Sequence, residues 1–242
     1  MLLLAYFFGM LTMHKHFFPT QELLALKNKF VRNDSLLANT KLIRLVTRPK
    51  PRNEFFELFA PASEIVMIGD SLTEGGPWSE IFPQVKIANR GIGGDRAIDI
   101  LQRMNPILAV KPKKAFLLVG LNDFASGMGV HQTFNNYIKI VEILQVNNIK
   151  VYIQSTAECS KAACGNQLDQ VRSLNLMLKQ YAIKNHLKFI NVNSVIASKE
   201  AGLLPKFTTD GSHLSAKGYL AWSNIIKPYI LESQDSAPTT PE

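Results

Sequence analysis

Two patterns of apolar and polar positions divide the chain. Beyond residue 64, short apolar runs alternate with longer stretches in which apolar residues recur every three or four positions. Residues 64–69, 85–89, 114–120, 149–154 and 187–192 read as five buried strands. Residues 97–104, 131–147, 167–185 and 215–231 read as helices between and after them. Strands alternating with helices imply right-handed crossovers and a parallel sheet covered on both faces. Ligands of such sheets bind beyond the carboxyl ends of the strands, near the point where strand order reverses.

The beginning of the chain is built differently. Residues 1–13 are almost wholly apolar, and His14, Lys15 and His16 follow. That run is short for a spanning helix, which needs about 20 residues. It also lacks the basic start and small-residue cleavage site of a secretory leader. Residues 1–19 are therefore expected to be a membrane anchor or signal-like segment, with an amphipathic surface helix and a misplaced start codon as open alternatives. Residues 20–47 read as helix, interrupted around Asn33, Asp34 and Ser35, and residues 48–52, with Pro49 and Pro51, as a linker. This basic segment either lies on an anionic membrane or packs on the domain. Residues 53–232 are expected to form the folded domain, and 233–242, polar and proline-bearing, a disordered tail.

Charge changes the picture only through its location. The net charge of +8 in 242 residues raises the question of nucleic acid. Residues 1–52 carry nine Lys and Arg against two Asp and Glu, whereas the remainder carries eighteen against seventeen. A groove that tracks phosphates needs its cations on the folded domain, so no nucleic-acid partner is expected. The basic segment instead points to association with a membrane, in a bacterial-type envelope, with the side left open. Cys159 and Cys164 either pair, as an oxidising compartment would permit, or stay as free thiols. With so few Cys and His, no structural zinc is expected.

Four segments that could carry chemistry lie just past predicted strands or before the last helix. Gly69, Asp70 and Ser71 end the first strand and place a hydroxyl at the rim of the sheet. Serine is a weak nucleophile without a base in hydrogen-bond reach. Of five histidines, only His213 has an acidic residue, Asp210, three positions earlier. On a tight turn that spacing lets the carboxylate meet one ring nitrogen while the other faces the serine. After the second strand, the glycines of Asn89–Asp95 free backbone N–H groups to face an anion. Arg96 stands where a dinucleotide-binding loop would need its third glycine. After the third strand, the Asn122 amide is placed to donate to a developing oxyanion. Taken singly, the serine, histidine and asparagine segments are as well explained by an ordinary turn, and the glycine segment by a phosphate cradle.

Taken together and in order, they resemble the four signature blocks of the SGNH, or GDSL-type, hydrolases, over roughly residues 53–231. The resemblance implies a three-layer α/β/α, flavodoxin-like domain with a five-stranded parallel sheet, hydrolysing carboxylic esters without metal or other cofactor. Carried over by position, Ser71 is the nucleophile, with Asp210 and His213 completing the triad. The backbone N–H groups of Ser71 and Gly94 and the side chain of Asn122 form the oxyanion hole. Asp70 is expected to organise the turn without reacting. Arg96 departs from the small polar residue of many relatives and is expected at the mouth of the site. Trp78, Phe124 and Met128 are candidates for lining it, or else for packing the core. The substrates implied are short acyl esters, lysophospholipids or acetylated carbohydrates. A carbohydrate- or lipid-binding module without catalysis and a flavin- or nucleotide-binding protein are the competing classes.

Overall fold

The computed structural model describes residues 51–232. The anchor-like segment, most of the basic segment with its linker, and the tail lie outside the described residues. At the near edge of that linker, Pro51 opens a helix, α1 (Pro51–Leu58). Proline fits the first turn of a helix, where its missing N–H has no intrahelical acceptor to serve. Phe56 on α1 is buried, with the Arg90 guanidinium 4.4 Å above its ring.

Five parallel strands follow: β1 (Ile65–Gly69), β2 (Ile87–Gly91), β3 (Lys114–Leu118), β4 (Lys150–Gln154) and β5 (Lys188–Ile190). Their order is β2-β1-β3-β4-β5, so the order reverses at β1. β1 and β3 are buried at every position, which explains the apolar runs of β1 and of β3 after Lys114. Side-chain alternation assigns the two faces. Val66, Ile68, Ala115 and Leu117 pack with α4 (Ala97–Gln102), α5 (Met104–Leu108), α7 (Val130–Val146) and α9 (Gln167–Lys184). Ile65, Met67, Phe116 and Leu118 pack with α3 (Trp78–Ile81), α10 (Asn193–Ile196) and α11 (Ala216–Leu231). The result is a three-layer α/β/α fold with five parallel strands.

The long helices fall within a residue or two of the sequence reading. The expected helix 97–104 is broken in two at Arg103, whose φ of −118° ends α4 before α5 begins. Short elements complete the chain: α2 (Ser71–Glu74), α6 (Leu121–Ala125), α8 (Lys161–Cys164), and a hairpin of β6 (Ala197–Ser198) and β7 (Gly202–Leu203). Among the described residues, no helix is long and apolar enough to cross a membrane.

Candidate active site

Ser71 owes its position to the way β1 stops. A Cβ on Gly69 would sit 2.2 Å from Thr73 Oγ1 and 2.3 Å from the Leu118 carbonyl, so only glycine fits where the strand meets its turn. Asp70 then caps α2, its Oδ1 accepting the Leu72 N–H at 3.0 Å. Ser71 is thereby left as the first helical residue, at the carboxyl edge of the sheet. Tyr219 ties α11 to this turn by donating to the Leu72 carbonyl at 2.9 Å. Burial pushes the Tyr219 hydroxyl up to about 12, so it stays a donor.

The partner of Ser71 arrives from 142 residues away. His213 Nε2 lies 3.0 Å from Ser71 Oγ, and His213 Nδ1 lies 2.7 Å from Asp210 Oδ2. The turn carrying both is held by Asp210 Oδ1, which accepts the N–H groups of Ser212 at 2.8 Å and His213 at 2.7 Å. Thr208 Oγ1 accepts from Gly211 at 2.8 Å. The backbone N–H of His213, then its ring, then the Ser212 N–H hold the Asp210 carboxyl well below the usual carboxylate range. An ionised Asp210 keeps the ring proton on Nδ1, which leaves Nε2 as the acceptor facing Ser71. The turn is buttressed from behind. Cys159 and Cys164 are joined as a disulfide, and Ser160 between them donates its N–H to the Gly211 carbonyl at 2.7 Å.

Gly94 sits in a turn beyond β2, closed by Asp95 N–H on the Ile92 carbonyl at 3.1 Å, with φ at +73°. That backbone region favours glycine. The turn runs beside the serine: a Cβ on neighbouring Gly93 would come within 3.8 Å of Ser71 Cβ. Gly93 itself donates to Glu74 Oε2 at 2.5 Å. Asn122, on α6, donates through Nδ2 to the Asp95 carbonyl at 3.0 Å, with Asp70 Oδ2 at 3.5 Å. Ser71, the Gly94 turn and Asn122 thus converge on one rim. Burial raises the Asp70 carboxyl to about 7, with Asp95 and Asp123 adding repulsion, and raises Asp123 to about 6.

Several expected neighbours do something else. Trp78 and Phe124 are buried and pack the core; Trp78 stands edge-on to Trp222 at 4.8 Å and donates to the Thr73 carbonyl. Met128 is half-buried, its sulfur 3.7 Å from Asn136 Nδ2. Arg96 turns its guanidinium onto Asp99, with bonds of 2.8 and 2.9 Å. His131 and His186 are exposed. Two residues without a role in the sequence reading contact the site's framework: Glu74, and Arg103, whose Nε donates to Asp95 Oδ2 at 2.7 Å. Glu74 stands in the first motif, but nothing in a pattern of types shows that it reaches a later turn. Among the described residues, no three His, Cys, Asp or Glu side chains gather as a metal site.

Residues 67–221, more than half of the chain, match the GDSL-like Lipase/Acylhydrolase family. The chain belongs to that family. The family's description names lipases and acylhydrolases. A structure from Bacteroides fragilis assigned as an acylhydrolase is 28% identical, with a TM-score of 0.65 over 74% of this chain and 92% of that one. A GDSL-like lipase from Bacteroides thetaiotaomicron shares the fold at 23% identity and a TM-score of 0.64, over 78% and 94% of the two chains. Among curated proteins, the N-acylneuraminate cytidylyltransferase of Streptococcus agalactiae is 24% identical over 161 residues, 66% of this chain. The GDSL-like chain spans 37% of the length of that relative.

Proposed function

We propose that this chain is a serine-dependent carboxylic ester hydrolase working through an acyl-enzyme. The observation that carries the reading is the unbroken hydrogen-bonded series from Ser71 Oγ through His213 to Asp210. His213 Nε2 takes the hydroxyl proton as Ser71 Oγ attacks the ester carbonyl. The tetrahedral oxyanion is met by the N–H groups of Ser71 and Gly94 and by the Asn122 amide hydrogen that otherwise makes the longer, 3.5 Å bond to Asp70 Oδ2. His213 then gives its proton to the departing alcohol, leaving an acyl-Ser71 ester. Water, deprotonated by His213, resolves that ester and restores the hydroxyl.

Asp210 and His213 are more than half exposed, so the site opens directly to solvent. Short acyl esters, lysophospholipids and acetylated carbohydrates are the substrate classes proposed. p-Nitrophenyl acetate and butyrate should be turned over and should lose measurable turnover in Ser71→Ala. Asn122→Ala should lower kcat by about 10²–10³-fold, the usual effect of one oxyanion donor. Full turnover by purified Ser71→Ala protein would remove the assignment.

A further inference from the structure

The three proposed oxyanion donors come from three separate segments, and one buried side chain links the backbone beneath them. Arg103 is 6% exposed and Asp95 1% exposed. Besides its bond to Asp95 Oδ2, Arg103 donates through Nη2 to the Arg90 carbonyl at 2.8 Å and the Gly69 carbonyl at 3.3 Å. Gly69 stands two residues before Ser71, Arg90 is near the end of β2, and Asp95 directly follows Gly94. The Gly69 carbonyl also accepts the Ile92 N–H at 3.1 Å, which starts the Gly94 turn. The Asp95 carbonyl in turn takes the Asn122 amide. Arg103 itself touches no atom of the triad.

Stability alone is a poor reason for this arrangement. Burial disfavours the Arg103 cation, and Asp95 works against that loss. An apolar residue of similar volume often serves a core as well as a buried ion pair does. What an apolar residue lacks is a planar fork able to hold three acceptors in fixed relation. The same helix break that interrupts the expected 97–104 helix occurs at this residue.

We propose that Arg103 is the positioning residue of the oxyanion hole, fixing the Gly94 turn and, through Asp95, the Asn122 amide against the Ser71 turn. The proposal rests on the hydrolase reading above. Donors displaced by about an ångström lose much of their preference for the transition state while ground-state binding is little changed.

The test compares wild type, Arg103→Lys, Asp95→Asn and Ser71→Ala with a short-chain ester and a matching trifluoromethyl ketone. Ser71 Oγ adds to the ketone carbon, its proton passes to His213, and the ketone oxygen becomes the oxyanion. Arg103→Lys should lower kcat about 10- to 100-fold with KM within about twofold. Its Ki for the ketone should rise in step with the loss in kcat/KM, while inhibition by the product alcohol is unchanged. Asp95→Asn, which keeps volume and backbone, should move the same quantities in the same direction and decides the matter if Arg103→Lys does not fold. Unchanged kcat and Ki in the folded variants, with Ser71→Ala inactive, would overturn the positioning role alone. Equal losses in alcohol affinity and kcat would overturn it too, as general disorder of the site. Activity retained by Ser71→Ala would instead overturn the hydrolase reading itself.

Discussion

Asp70 shows how much a single side chain near Ser71 has to reconcile. It caps α2, lies beside Asn122, and is buried next to Asp95 and Asp123, so its carboxyl is raised to about 7 from an ordinary value of 3.8. Such a group favours the folded state while it is protonated. Its contribution is fully present below pH 3.8 and is lost as the pH rises toward 7, because the unfolded chain ionises first. Asp70→Asn keeps the cap acceptor and removes the titration. Urea denaturation across this interval should therefore show a flatter pH dependence for the variant than for wild type. An identical slope would mean that Asp70 is ionised throughout. The convergence of Ser71, Asn122, Asp210 and His213 was legible because each position depends on residue type at a fixed distance from a strand end or turn. The engagement of Arg96 by Asp99 was not, since an i,i+3 pair on the first turn of a helix competes unseen with a solvent-facing pose.

At the scale of elements, the strands were readable where both faces are buried. β1, and β3 beyond its first residue Lys114, leave no polar position to break the apolar run, whereas edge strand β5 is only three residues long and the expected run of six overshoots it. Elements of two to four residues, such as α3 and the β6–β7 hairpin, carry no period of their own and are set by tertiary contacts. Trp78 was ambiguous for a related reason. Lining a site and filling a core both call for an aromatic, and only the approach of Trp222 from 144 positions further along decides for the core. The disulfide was equally undecidable from spacing, and its consequence is local. It closes α8 behind the turn that holds Asp210 and His213, through Ser160 and Gly211. Reduction should lower stability by about 2 kcal/mol, the chain-entropy value for so small a loop. Urea melts of wild type should shift with reductant, and those of Cys159→Ala/Cys164→Ala should not. A wild-type melt indifferent to reductant would contradict this.

The whole molecule separates chemistry from charge. Ser71, the Gly94 turn and Asn122 follow β1, β2 and β3, at the place where the strand order reverses, and α11 brings His213 in from its N-terminal side. The cationic excess belongs to residues 1–52 of the sequence. We propose that this segment brings the hydrolase to anionic membranes. The full-length chain should cosediment with vesicles containing phosphatidylglycerol and release at high ionic strength, as screened attraction requires. Equal sedimentation with neutral vesicles would assign the binding to apolar residues alone, and no sedimentation with either would end the idea.

Activation of the Ser71 hydroxyl by His213 can be read from covalent labelling. Full-length protein treated with a fluorophosphonate and mapped by peptide mass spectrometry should carry one adduct, on Ser71. His213→Ala should form it orders of magnitude more slowly, and Ser71→Ala not at all. An adduct on another residue, or labelling of Ser71 at the same rate without His213, would contradict the account.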